Sequence, residues 1–253
     1  MRVLDLLFPP ACPACGRLTG GGYELCDDCL PLWQKEKRSR CARCGQMQFA
    51  CRCPIPLPEG GDDSVLPRSG LEQVHLSAYR PGRGGVTERL TLRAKEKALA
   101  CHRTLIGREL GAALAGELDG DDPPILTYLP RRPDKVRVSG TDQAKQIARA
   151  LGDALGLTPI SLLARRGGED QKTMNAAERF AAAASRYRLK RGAAERIRGK
   201  TVWLCDDVIT TGASALACAR LLLGAGAKRV LAVAPARCDR TREEDLDEEK
   251  NRD

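Results

Sequence analysis

VWLCDDVITTGAS, residues 202–214, runs an apolar stretch into two adjacent aspartates and then into a turn of hydroxyl and glycine residues. The apolar part reads as a buried strand, and a helical pattern opens at Ala213. Such a strand delivers Asp206 and Asp207 to a sheet edge, with Thr210, Thr211, Gly212, Ala213 and Ser214 leading into the first turn of the helix. A helix amino terminus presents unpaired N–H groups and a partial positive charge, and Gly212 lets the backbone approach a ligand closely, so this turn suits a phosphate. Two neighbouring carboxylates do the converse and accept hydrogen bonds from vicinal hydroxyls. A sugar phosphate carries both features.

Working outward, helix formers dominate residues 86–118, with Leu105, Ile106, Leu110 and Leu114 at helical spacing, and PILTYLP gives a short strand at 125–129. Another helical pattern covers 141–155, a short apolar stretch covers 159–164, and RVLAVAPA begins a strand at Arg229. Strands alternating with helices predict an α/β fold, a mainly parallel sheet flanked by helices through right-handed crossovers. Its ligand site belongs at the carboxyl ends of the strands, where Asp206 and Asp207 fall. The Pro, Gly and Asp content of PIPLPEGGDDSVLPRSG marks an exposed linker. The reading is therefore a small module at 1–56, a linker at 57–70, an α/β domain at 71–238 and a charged, disordered tail at 239–253.

Eight of the 12 cysteines lie in the first 53 residues: CPAC (Cys12, Cys15), CDDC (Cys26, Cys29), CARC (Cys41, Cys44) and CRC (Cys51, Cys53). Two cysteines separated by two residues can turn both sulfurs toward one tetrahedral ion, and two such pairs complete a structural zinc shell, so about two zinc ions are expected. Gly16 and Gly45 follow two of the pairs, where a tight knuckle needs unusual dihedrals. Pairing by sequence puts Cys12, Cys15, Cys26 and Cys29 on one ion and Cys41, Cys44, Cys51 and Cys53 on the other; an interleaved pairing is equally open to this spacing. A disulfide framework needs an oxidising compartment, and a redox CxxC does not account for four pairs. Cys101, Cys205, Cys218 and Cys238 sit in apolar patterns and read as packing residues.

At 253 residues, 42% apolar and 30% charged, the chain is long enough for an enzyme of one or two domains. Its formal charge of +9 favours phosphate-bearing partners, while 4% aromatic residues argue against a surface that grips single strands by base stacking. No run approaches the roughly 20 apolar residues of a membrane span, and the apolar patch in MRVLDLLFPP is too short for a secretory segment, so a cytoplasmic location is expected. His75 follows the linker and His102 lies in a helical pattern; each reads as structural or solvated rather than as a metal ligand.

VWLCDDVITTGAS resembles the phosphoribosyl-diphosphate signature of type I phosphoribosyltransferases, two apolar-flanked acidic residues followed by a Thr-Thr-Gly turn. The resemblance implies that Asp206 and Asp207 contact the ribose hydroxyls and that Thr210, Thr211, Gly212, Ala213 and Ser214 hold the 5-phosphate. A paired zinc ribbon, then YLPRRPDKVRVSGTDQA, then RRGGEDQKTMNAAERF, then the phosphate turn, in this order, are similar to the ComF family of competence proteins. That resemblance implies that Pro130 and Arg131 lie near a diphosphate loop and that Gln143 follows on the next helix. It also implies that Gln171, Lys172 and Arg179 belong to a loop or helix start over the site.

Arg131, Arg132, Lys135 and Arg137 supply the cationic excess that a diphosphate with magnesium needs. Gly140, Thr141, Asp142 and Gln143 stand where the family tends to have Gly-Phe-Asn-Gln, Cys205 replaces an aliphatic residue, and the family's Lys-Tyr-x-Gly is missing from LRAKEKALACHR. These departures leave the acceptor undefined. The family's partners implied here are phosphoribosyl diphosphate, single-stranded DNA and a competence helicase or other uptake machinery, in DNA uptake during natural transformation. The alternative is an active phosphoribosyltransferase in nucleotide or cofactor salvage.

Overall fold

The computed structural model describes residues 10–19, 24–57, 64–96, 100–166 and 185–239. In chain order the elements are α1 (Cys29–Lys37), β1 (Gln73–Tyr79), α2 (Val86–Glu96), α3 (Ala100–Leu114), β2 (Ile125–Tyr128), α4 (Pro133–Ser139), α5 (Gln143–Leu155), β3 (Leu163–Arg165), β4 (Tyr187–Leu189), α6 (Ala193–Ile197), β5 (Thr201–Cys205), β6 (Val208–Ile209), α7 (Ala213–Gly224) and β7 (Arg229–Cys238). The main sheet runs β1-β7-β5-β2, with β6 also on β7, and every pairing in it is parallel. The length of β7 follows from its partners: its first half pairs with β5 and its second half with β6, while β1 lines its other side. Val202, Trp203, Leu204, Leu126, Leu231 and Val233 are all buried, as the continuous apolar runs of a sheet covered on both faces require. β3 and β4 form a separate antiparallel pair in which Arg165 faces Tyr187 in register.

Several boundaries differ from the sequence reading. The expected helix over 86–118 is two helices followed by a 3-10 turn at Ala115–Glu117, and residues 97–99 between them lie outside the described ones. α5 starts at Gln143 because the Asp142 carboxylate caps it, accepting the Lys145 backbone N–H at 3.2 Å. β1 had no counterpart in that reading. The stretch expected as an exposed linker contributes to the core through Leu66, and beside it Ile55 pairs with Leu71. Beyond Asp239, the expected tail lies outside the described residues.

The amino-terminal module rests on the sheet domain through its polar groups. Glu36 of α1 accepts hydrogen bonds from the Val86 and Thr87 backbone N–H groups at 2.8 Å and from the Thr87 hydroxyl at 2.6 Å, capping α2. Gln73 donates to the Cys53 carbonyl at 2.6 Å, and the His75 ring Nε2 lies 3.1 Å from Gln48 Oε1. Burial, with Arg237 and Arg52 nearby, pushes His75 down to about 3, so the ring is neutral and Nε2 donates. Burial likewise lowers His102, to about 4. Among the described residues, no helix is long and apolar enough to cross a membrane.

Candidate functional site

Two knuckles of the same construction open the module. Cys12 N–H donates to the Arg17 carbonyl at 2.7 Å and Gly16 N–H to the Cys12 carbonyl at 2.8 Å; Cys41, Gln46 and Gly45 repeat the pattern. Gly16 and Gly45 take φ of 81° and 71°, which a side chain would resist. The sulfurs gather as Cys12, Cys15, Cys26, Cys29 and as Cys41, Cys44, Cys51, Cys53, each set within 4.8 Å, so pairing follows the sequence and is not interleaved. Separations of 3.6 Å for Cys15 to Cys26, 3.7 Å for Cys44 to Cys51 and 4.0 Å for Cys41 to Cys53 match the roughly 3.8 Å edge of a zinc tetrahedron with four thiolates. None of these eight sulfurs is bonded to another cysteine in this structure. Backbone N–H donors outweigh burial at Cys12 and Cys41 and bring both down to about 7, while burial and the neighbouring sulfurs push Cys29 and Cys51 of the same sets up, so without a metal each set divides its protons unevenly. The donor sets fit two structural zinc ions.

The second site is a cavity of about 390 Å³ at the carboxyl ends of β2 and β5. The Asp206 N–H continues the ladder to Val233 O at 2.9 Å, and the Leu129 N–H donates to Cys205 O at 2.9 Å, which ties the start of the Pro130–Arg131 segment to the tip of β5. Asp206 and Asp207 then line the cavity together with Thr210, Thr211, Gly212, Ala213 and Ser214. Gly212 brings no capping side chain to α7, and the Ala213 N–H reaches only the Thr211 hydroxyl, at 3.4 Å, so the first turn offers amides that an anion can take. Asp206 Oδ1 accepts the Asp207 backbone N–H at 2.8 Å, and Asp207 Oδ1 accepts that of Val208 at 3.0 Å. Burial first, then the charge and hydrogen bonding of Asp207, hold the Asp206 carboxyl well above the ordinary carboxylate range.

Arg131 lines the same cavity as this acidic pair. Its side chain donates to Gln143 Oε1 and to the Thr141 carbonyl, and its backbone N–H donates to Asp142 Oδ2 at 3.2 Å. Arg131 and Gln143, both expected at the site, are therefore in it. Gln171, Lys172 and Arg179 lie outside the described residues. Among the lining residues that were not anticipated, three are polar: Asp142, Arg165 and Tyr187. An aspartate one residue before a helical pattern is the signal that could have marked Asp142. Arg165 and Tyr187 carry no such mark, because β3 and β4 are three residues each, too short for a period. The Arg165 guanidinium stacks 5.6 Å from the Tyr187 ring centre, and the Tyr187 phenol is hydrogen-bonded to Ser214 at the start of α7.

A profile described as a double zinc ribbon domain matches residues 3–62, and one described as a phosphoribosyl transferase domain matches residues 137–252. The larger domain has the phosphoribosyltransferase fold. Residues 137–252 are thus similar to a phosphoribosyl transferase domain and residues 3–62 to a double zinc ribbon domain. Among solved structures, a hypoxanthine phosphoribosyltransferase from Staphylococcus aureus is similar at 16% identity and TM-score 0.36, over 53% of this chain and 62% of that one. An allosteric regulatory enzyme of purine biosynthesis is similar at 21% identity and TM-score 0.34, over 53% and 26%. A protein of Thermus thermophilus is similar at 21% identity and TM-score 0.35, over 59% and 79%. The chain spans under two thirds of the first two. No curated protein matches it.

Proposed function

We propose that the chain binds phosphoribosyl diphosphate in this cavity and handles single-stranded DNA in DNA uptake during natural transformation, as a ComF-like protein on the cytoplasmic side. One observation carries the ligand: the Asp206–Asp207 pair, the start of α7 and Arg131 line one cavity. The 5-phosphate takes the amides and hydroxyls of Thr210, Thr211 and Ser214, the ribose hydroxyls donate to Asp206 and Asp207, and the diphosphate lies toward Arg131. The Asp206, Asp207 and Asp142 carboxylates are hard oxygen donors of the kind magnesium takes; when bound, that ion neutralises diphosphate charge. Burial and Asp207 favour the neutral form of the Asp206 carboxyl in the empty site, and a neighbouring cation favours its ionised form.

Support for the DNA reading is the charge of +9 and the placement of α4 between Arg131 and Thr141. No residue of α4 is buried: Lys135 and Arg137 are exposed, and Val138 is 88% exposed. Two four-cysteine sets arranged for zinc, rather than for disulfides, are in keeping with a reducing, cytoplasmic compartment. The alternative, a transferase in nucleotide or cofactor salvage, uses the same donor site. An acceptor base needs a stacking surface, and the single aromatic ring in the described lining, Tyr187, already carries Arg165. Calorimetric titration of magnesium phosphoribosyl diphosphate, with and without single-stranded DNA, tests the proposal. Saturable binding near one ligand per chain and retained DNA affinity are expected. Absence of ligand binding overturns it, and turnover with a free base favours salvage.

A further inference from the structure

A side chain from the cysteine module lies against the phosphate turn. Cys53 is the last ligand of the second cysteine set, and two residues on is Ile55, 2% exposed. The backbone there is held from both sides. The Ile55 N–H donates to Leu71 O at 2.8 Å, the Leu71 N–H donates to Ile55 O at 3.0 Å, and the Cys53 carbonyl takes the Gln73 side chain. The Ile55 side chain meets Gly212, whose φ is +76°. A Cβ at Gly212 would overlap the Ile55 Cγ2 methyl and would lie 3.3 and 3.4 Å from Cδ1 and Cβ of the same residue.

The position matters because of what the turn lacks. Thr210 and Thr211 are exposed, Gly212 starts α7 without a side-chain cap, and glycine is the residue with the most backbone freedom to lose. The Gly212 carbonyl accepts the Leu216 N–H at 2.9 Å, which fixes the helix side of the turn. On the opposite side, the three atoms nearest the missing Cβ all belong to Ile55. An orphan donor binds an anion only while it is aimed, and the surface that fixes the aim here is a branched, stiff side chain anchored in the zinc module.

We propose that Ile55 is a positioning residue for the phosphate turn: it holds the Gly212 peptide so that the first-turn amides of α7 point into the cavity, and it sets affinity for ligands that carry a phosphate there. The proposal rests on the phosphoribosyl reading of the cavity. The zinc module thereby acts on the ligand site through packing, without lining the cavity itself.

The test compares wild type, Ile55→Ala and Ile55→Val in the full chain, each checked for zinc content and for a cooperative melt. The probes are ribose 5-phosphate, phosphoribosyl diphosphate and inorganic diphosphate. Ile55→Ala should weaken both ribose phosphates about tenfold, a modest cost for misplacing a binding group, and leave inorganic diphosphate unchanged. Ile55→Val keeps the β-branch and should restore most of the affinity. Should the alanine variant lose its cooperative melt, the valine variant decides through a roughly twofold loss confined to the ribose phosphates. Equal loss on all three probes means general loosening and overturns the proposal, as does no loss. Wild-type protein that ignores ribose 5-phosphate overturns the phosphoribosyl reading and this proposal with it, whereas wild-type binding with unaffected variants overturns the proposal alone.

Discussion

Replacing Asp206 by Asn should stabilise the empty protein at neutral pH while stripping the site of affinity. Asp206 sits at the tip of a buried strand; burial, then Asp207, raise its folded pKa well above the unfolded value near 3.8. The sign follows from proton counting. Between the unfolded and folded pKa values the native state holds one more proton than the unfolded chain, so stability falls as pH rises, by about 1.4 kcal/mol per unit, and the loss is complete once pH passes the folded pKa. Below the unfolded pKa both states are protonated and nothing is lost. Asn reproduces the neutral acid in shape and still accepts the Asp207 N–H through its Oδ1, a bond of 2.8 Å in the native protein.

Each unit by which the pKa is raised therefore gives the Asn variant about 1.4 kcal/mol, roughly 3–5 °C in Tm for a protein of this size. Melting curves of both zinc-loaded proteins between pH 6 and 8 should show an advantage for the variant that grows with pH up to the folded pKa of Asp206. Loss of one charge-assisted hydrogen bond, about 1.5–3 kcal/mol, should weaken phosphoribosyl diphosphate about ten- to a hundredfold. A variant no more stable at pH 8 than wild type would refute the burial argument. Unchanged ligand affinity in the folded variant would refute the assignment of this carboxylate to the sugar.

Metal analysis of protein purified without chelator should find about two zinc ions per chain, and Cys12→Ser should lower folded yield because closing the shell contributes to folding; a stoichiometry near zero contradicts both. Affinity for single-stranded DNA should fall steeply with salt and show little sequence preference, and changing Lys135 and Arg137 to Gln should flatten the log-log salt slope by about 0.7 for each contacted phosphate. Salt-independent binding argues against backbone contacts. Glu36→Ala removes the cap of α2 and should cost about 1–3 kcal/mol in urea unfolding, and an unchanged midpoint would show that the contact with the module contributes nothing there.

Legibility in the sequence followed how local each signal was. β5, the phosphate turn and α7 could be read from one contiguous stretch, because an apolar strand, an acidic pair and a Gly-bearing turn each have a short-range cause. The cysteine pairing needed spatial information, because spacing left pairing by sequence and an interleaved arrangement both open. β1 was hidden because Gln73, His75 and Ser77 are buried with partners far away in sequence: the Cys53 carbonyl, Gln48 and the Thr87 hydroxyl. Polar residues at every second position looked solvent-facing when the module covers them. Arg165 and Tyr187 reach the cavity only through the β3–β4 pairing, a tertiary fact that no window of either strand contains. Asp142 was legible as a departure from a family pattern but not as the cap and Arg131 partner it is.

The pairing of β1 with β7 also dictates a sequence of events during synthesis. Gln73 registers with Ala232, so the first strand of the sheet emerges from the ribosome long before its neighbour exists. Strands that must wait for a distant partner fold slowly and expose sticky edges meanwhile. The residues that meet Gln73 and His75 from the module, Cys53 and Gln48, are made just before them and are already at hand. A nascent chain can therefore shelter β1 against its own metal-bound module until the last described strand arrives to complete the sheet.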